Sequence, residues 1–469
     1  MAFDPAHWQA RLDDLRAAHR VPGATLGVLA EGRVHELASG VLHRDTGVAV
    51  TPGSVFQLGS VAKVYTATLV VRLAEEGALD LDAPVADVLP GFAVADPRAS
   101  AAVTPRQLLS HTSGISGDFT LDTGRGDDCL ARYVAACADV GQDCPPGTAV
   151  SYSSTGYAVL GRLTEAVTGQ VWDQALRDRL LDPLGAHHTL TLPEEVLRFP
   201  AAMSHLGAPG EDPEPAPEWT AMPRSAGPYG GVCATAADVL LLARMHLDGG
   251  TAADGTRLLS PEAVAAMRRP VAATPDRWTV HSSAWGLGWT LYDWAGVPGF
   301  GHDGATLGQY SYLRVLPDAG VAAVLLTNGG GARRMYEELF AELLGDLAGV
   351  RPPAPFGPPA PSADPGTGTG THPDTFDTAQ ITGDYRREGV EISVTRTPEG
   401  TARMRYAFVD GMAGFAPPFE TDLVPVEPGV FAVPGMGAFA GEWMPVVFST
   451  LPDGTGCVYI GMRAAPRVR

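Results

Sequence analysis

Lysine is almost missing from this chain: of 33 basic residues only Lys63 is a lysine, and arginine supplies the rest. Asparagine is as scarce, with Asn328 alone. Losing both together, while Ala, Gly, Pro and Arg are in excess, reads as a drift of genome composition rather than a functional signature. Positive charge is short too. Acidic residues number 53, the formal net charge is −20, and binding to nucleic acid or to an anionic membrane surface is therefore not expected. No apolar run approaches the roughly 20 residues needed to cross a bilayer. The opening MAFDPAHWQARLDDLRAAHR is polar and helix-patterned, without the basic-then-apolar build of a secretory signal, so the expected location is cytoplasmic. Five cysteines make an odd number, and Cys129, Cys137 and Cys144 match neither a zinc pattern nor a CxxC pair. Small free thiols are expected, not a disulfide framework. The absence of HExxH, EF-hand and His/Cys clusters leaves no metal or cofactor to expect.

What is present divides the chain in two. The stretch RPPAPFGPPAPSADPGTGTGTHPD, 351–374, is dense in Pro and Gly and reads as an extended linker. It separates a body, 1–350, from a tail, 375–469. In the body, strand patterns at 24–30 and 33–41 return at 285–292, 308–317 and 321–328. Helical patterns fill 5–19, 60–76, 105–110, 155–168, 172–181, 235–248, 261–268 and 332–347. Strands at both ends with helices between predict one sheet built from distant segments around an inserted helical subdomain, an α+β plan. The tail alternates in short runs such as GVEISVTRT and GCVYIGM, which predicts a small antiparallel β-barrel or meander.

The lone lysine lies in FQLGSVAKVYTATLVVRLAEEG, 56–77. From Val61 to Ala74 only Lys63 and Arg72 are charged, and a helix apolar on nearly every face is normally buried. A buried ammonium is costly unless it is paired or gives up its proton. Ser60, three residues earlier, projects from the same face at the first turn. There the helix N-terminus offers free N–H groups and positive potential. A serine beside a depressed-pKa lysine is the arrangement of an activated nucleophile, with the Ser60 N–H available to an oxyanion. Arginine keeps its proton and cannot take the role. A drift from Lys to Arg would spare only a lysine that must act as a base.

SVAK at 60–63, with the surrounding FQLGSVAKVYTATLVVRLAEEGALDLDAPVADVLPGF and then TPRQLLSHTSGI at 104–115, resembles the class C β-lactamase-like serine hydrolases, a family that includes esterases, D-aminopeptidases and D,D-carboxypeptidases. The resemblance covers about residues 10 to 345. It implies a β-lactamase/transpeptidase-like body, with Ser60 as nucleophile and Lys63 as base. In SYSSTGYAVLGRL, Tyr152 would fill the tyrosine position of the Tyr-x-Asn motif and shuttle a proton to the leaving group. Ser154 stands where that motif has Asn, and a hydroxyl reaches less far than an amide. GFGHDGATLGQYSYL, from 299, resembles the His-x-Gly form of the third motif. His302 would line the site, Gly304 would let the strand approach, and the Ala305 N–H would be the second oxyanion donor. Asp303 and Tyr310, flanking it, would shape specificity. His111 reads as a buried, hydrogen-bonded structural residue, and GPYGGVCATAADVL (227–240) as a close-packed loop entering a helix. ITGDY, 381–385, is similar to the start of barrel domains appended to some peptidase-like members, which can overhang the active site.

These features predict a serine hydrolase that forms an acyl-enzyme on Ser60 and cleaves a small ester or amide, including short peptides with D-residues. An acyltransferase using the same acyl-enzyme, a β-lactamase, and a non-catalytic binding protein are the alternatives, in falling order.

Overall fold

The computed structural model describes residues 3–359 and 378–468. The predicted linker lies outside the described residues from 360 onward, as does the start of the tail up to 377.

The body is built on an eight-stranded antiparallel sheet. Its strands are β1 (Gly23–Ala30), β2 (Arg33–Gly40), β3 (Ala272–Ala273), β4 (Ala284–Trp285), β5 (Thr290–Trp294), β6 (Val297–Ala305), β7 (Tyr310–Leu316) and β8 (Val321–Thr327), in the order β2-β1-β8-β7-β6-β5-β4-β3. The ends of the body do meet: Ala24 pairs with Thr327 and Leu29 with Ala322. Every residue of β1 and β8 is buried, because both faces of the sheet are covered. On one face lie α1 (Pro5–Ala18) and, near the end of the body, a long helix Ala332–Ala348, whose Leu12, Leu15, Phe340 and Leu343 join Leu26, Val28 and Leu325 of the sheet. The other face carries α2 (Ala62–Glu75), α3 (Ser154–Thr168), α4 (Ala236–Leu247) and shorter helices around one large apolar core; the helix Ala332–Ala348 is α5.

Helix ends follow local chemistry. Asp4 Oδ1 accepts the N–H groups of Ala6 and His7 at 3.0 and 3.3 Å, with Pro5 at the first helical position. Ser153 Oγ accepts from the Gly156 N–H at 3.0 Å, and α3 stops at Gly169 with φ +70°. The single asparagine is used structurally as well. Asn328 Nδ2 donates to the Val41 and Leu42 carbonyls at 3.1 and 3.0 Å, tying the end of β8 to the chain beyond β2.

The tail forms two antiparallel sheets. One holds β9 (Gly383–Arg387), β10 (Val390–Arg396), β11 (Ala402–Phe408) and β12 (Phe419–Asp422). The other holds β13 (Val424–Glu427), β14 (Val430–Pro434), β15 (Trp443–Thr450), β16 (Gly456–Ile460) and β17 (Arg463–Pro466). The sheets share one core, from Tyr385 and Ile392 to Val446 and Val458, and a bridge between Tyr385 and Arg467 joins their edges. The result is barrel-like, as the alternating runs predicted.

Candidate active site

Ser60 sits in a single 3-10 turn, Gly59–Val61, that leads into α2. Eleven of the fourteen residues of α2 are buried, Lys63 among them, which fixes the ammonium side chain in the core. Its Nζ lies 3.2 Å from Ser60 Oγ and donates to the Tyr229 carbonyl at 2.9 Å. Around it stand the rings of Tyr152, Tyr229 and Tyr157, with centroids 4.8, 5.4 and 5.8 Å from Nζ. No carboxylate pairs with Lys63 among the described residues. Aromatic faces favour a cation by only about 2 kcal/mol even when desolvated, whereas unpaired burial costs several. Burial therefore wins, helped by the positive charge of Arg463, and holds the Lys63 pKa well below 10.5. A neutral amine with one N–H on the Tyr229 carbonyl has its lone pair free for the Ser60 proton.

Tyr152 is buried ahead of α3. Burial raises its pKa, while a hydrogen bond with the Ser60 side chain and the nearby Arg463 oppose the rise. At neutral pH it is a phenol, able to give a proton. Serine, lysine and tyrosine thus share one hydrogen-bonded cluster.

The third element is β6. Gly59 has φ +52°, and a Cβ there would lie 2.6 Å from both N and O of Ala305. A Cβ on Gly304 would lie 1.9 Å from the Leu58 carbonyl oxygen and 3.0 Å from the Ser60 nitrogen. Two glycines therefore let the β6 main chain run against the Ser60 turn, and Ser311 Oγ donates to Leu58 O at 2.7 Å to hold it there. The main chain at Ser60 and the main chain at Ala305 lie close against each other. His302, on the same strand, is buried beside Tyr152 and Trp285, with ring centroids 6.2 and 5.6 Å away.

A family model described as "Beta-lactamase" matches residues 8–346. The chain belongs to the β-lactamase family. Penicillin-binding protein 4 of Amycolatopsis lactamdurans is 64% identical over 389 residues, which is 83% of this chain and 99% of that protein. A crystal structure of SurE superposes with a TM-score of 0.76 at 30% identity and covers 99% of both chains; SurE is also known with D-Leu. D-amino acid amidase from Ochrobactrum anthropi shares the fold, with a TM-score of 0.60 at 23% identity over 73% of this chain and 99% of that one.

Within this β-lactamase-family site, sequence reasoning named Ser60, Lys63, Tyr152, His302, Gly304 and Ala305, and the structure gathers all six. Ser154 is the first residue of α3, and its hydroxyl makes no hydrogen bond among the described residues; Ser153 is the helix cap. His111 is buried at φ +57°, and its Nδ1 accepts from the Ser153 N–H at 3.1 Å. Its Nε2 has no partner among the described residues, so it is only half satisfied. Asp303 and Tyr310, expected to shape specificity beside the third motif, are directed elsewhere. Strand alternation turns Asp303 to the other side of β6 from His302, where it pairs with the buried Arg314. Tyr310 packs toward the α1/α5 core.

The residues that sequence reasoning missed come from the tail. The β16–β17 hairpin turns through Gly461 and Met462, at φ +59° and +66°, the pair of left-handed residues a two-residue type I′ turn requires. A methionine is strained there. It is held because the Met462 carbonyl accepts from the Tyr152 N–H at 3.0 Å and its N–H donates to Asp276 Oδ2 at 3.1 Å. The Ala464 N–H donates to Ser151 Oγ at 3.1 Å. Arg463 then projects over the Tyr152 ring, 5.2 Å from guanidinium carbon to centroid, with its Nε 2.7 Å from Asp118 Oδ1. Arg387, from β9, takes the other oxygen of Asp118 and donates to the Tyr406 hydroxyl at 2.9 Å. Burial pushes the Arg387 pKa down to about 10. The only sequence trace of this arm is Gly-Met between two alternating runs.

Among the described residues Asp118 is thus the one carboxylate shared by two tail arginines. Replacing it with Ala strands both guanidiniums, and the expected loss is about 3–5 kcal/mol, read as a lower thermal midpoint. Protease-accessible separation of tail and body should accompany it.

Proposed function

We propose that this protein is a serine hydrolase that forms an acyl-enzyme on Ser60 and cleaves a small amide or ester bond in peptide-like substrates with D-residues. The observation that carries the reading is the fully buried, carboxylate-free Lys63 with Nζ 3.2 Å from Ser60 Oγ. Lys63 takes the serine proton as Ser60 attacks the carbonyl. The Ser60 and Ala305 N–H groups receive the developing oxyanion, where each donor is worth about 10²–10³ in rate. Tyr152 delivers the proton to the leaving group; when water attacks the acyl-enzyme, Tyr152 and Lys63 take the proton of the water and one is restored to Ser60 Oγ. Arg463 places its positive charge over the Tyr152 ring, which suits a substrate with a carboxylate near the leaving group. A D-amino acid is consistent with the SurE–D-Leu complex.

A second reading is transfer of the acyl group to an amine instead of water. It is favoured by the tail hairpin, which closes over Tyr152 through Met462 and Arg463 and narrows access to the site. Product analysis with and without amine acceptors separates the two readings.

The test of the shared step is labelling with a fluorophosphonate, followed by intact mass. One adduct per chain is expected, absent in Ser60→Ala. Native protein that takes no label and turns over no p-nitrophenyl ester overturns the proposal.

A further inference from the structure

We propose that His302 offers a hydrogen-bond-accepting Nε2 to the leaving or incoming group, so that the site selects nitrogen groups that carry an N–H. This rests on the acyl-enzyme reading above. His302 is 3% exposed, and its Nδ1 lies 2.6 Å from the main-chain oxygen of Asp303. A carbonyl oxygen can only accept, so the proton is on Nδ1 and a neutral ring carries its lone pair on Nε2. That nitrogen has no partner among the described residues.

The ring is neutral because of its surroundings. Burial pushes its pKa down to about 4, and protonation of the neighbouring Lys63 would push it the same way. Asp303 would pull the other way, but its carboxylate is paired with Arg314. Arg314 is itself held between the rings of Tyr292 and Tyr336, each 4.9 Å from its guanidinium carbon. The remaining ionisable neighbours, Tyr152 and His111, are uncharged: burial raises the phenol and lowers the imidazole.

The obvious internal donors are already committed. Lys63 Nζ donates to the Tyr229 carbonyl and faces Ser60, and the Tyr152 hydroxyl is engaged with Ser60. His302 packs beside Tyr152, with ring centroids 6.2 Å apart, and Tyr152 is the group that protonates the leaving group in the acyl-enzyme reading. A lysine at this position would donate; this imidazole accepts, so the polarity of the subsite is reversed.

During acylation the Ser60 Oγ–carbon bond forms and the carbon–nitrogen bond breaks. The serine proton passes through Lys63 and Tyr152 to the departing nitrogen, whose own N–H stays on His302 Nε2. Attack by an amine runs the same steps backward. A secondary amide has that N–H; an N-methylated tertiary amide and an ester do not.

The test compares one acyl group presented as a secondary amide, its N-methyl tertiary amide and an ester, using native protein, His302→Gln and His302→Leu. Gln keeps an acceptor oxygen, whereas Leu keeps none. Native protein is expected to favour the secondary over the tertiary amide by about ten-fold or more in kcat/KM. His302→Leu should lose most of that ratio and His302→Gln should retain part of it. An unchanged ratio in His302→Leu overturns the proposal. Native protein also reports directly: long-range ¹H–¹⁵N spectra of ¹⁵N-histidine-labelled protein should show Nε2 of His302 unprotonated, and a protonated Nε2 overturns the proposal even if no variant folds. Fluorophosphonate labelling keeps the outcomes apart, since labelled protein with no N–H preference fails only this inference.

Discussion

A Lys63→Arg variant is expected to lose at least about 10³-fold in kcat/KM, toward the upper end of what a positioned general base contributes. Arginine retains the positive charge and the approximate length but does not release its proton in a protein. Its larger planar head must also enter a space bounded by Tyr152, Tyr157 and Tyr229. Fluorophosphonate labelling of Ser60 should slow in parallel. A Lys63→Arg protein with native kcat/KM sinks the base assignment, whatever the fate of the Ser60 adduct.

The same residue predicts a trade of stability for activity. The folded-state pKa of Lys63 is depressed, so between that lowered pKa and about pH 10.4 the unfolded chain binds a proton that the folded chain lacks. Stability therefore rises with pH until the unfolded lysine also deprotonates. Lys63→Met, inactive, should melt at a higher temperature than native protein at pH 7, and the difference should shrink as the pH approaches about 10.4. In native protein kcat/KM should climb with pH through a pKa well below 10.5.

The second large effect is expected at Gly304. An alanine methyl there would meet the Leu58 carbonyl oxygen at 1.9 Å and Ser311 Oγ at 2.4 Å. The first contact is main chain, so β6 must move away from Ser60. That carries Ala305 out of range of the oxyanion. Gly304→Ala should lower kcat by about 10²–10³, the worth of one oxyanion donor, with about 1–3 kcal/mol of destabilisation from overpacking. Kinetics and a melting curve measure the two separately. A variant within a few-fold of native kcat would show that Ala305 is not a donor.

Lys63 shows why part of the site was legible. Ser60 and Lys63 are three residues apart on one helical face, so local geometry alone makes them neighbours. Their chemistry is written in residue type, since lysine, unlike arginine, can give up its proton in a protein. The strands and helices of the body followed from periodicity, and the pairing of β1 with β8 from strands at both ends. The strand β6 was not legible as a strand from pattern. GFGHDGA is glycine-rich because it must lie against the Ser60 turn, and that same need removes the β-branched residues that announce a strand.

Other parts carry no residue signature at all. The Tyr229 and Met462 groups that touch Lys63 and Tyr152 are main-chain carbonyls, which every residue has. Ala464 and Ser151 meet across 313 residues of sequence, and Asp118 looks like any loop carboxylate until Arg387 and Arg463 close on it. Residue order was enough for the family plan and for placing Ser60 beside Lys63, because these rest on an extended motif pattern and on spacing at the start of one helix. It took the packed chain to show that a tail hairpin packs on Tyr152, that Asp303 pairs with Arg314, and that Nε2 of His302 is left without a partner among the described residues. Those outcomes depend on which surfaces pack together, and so on distances that no local pattern encodes.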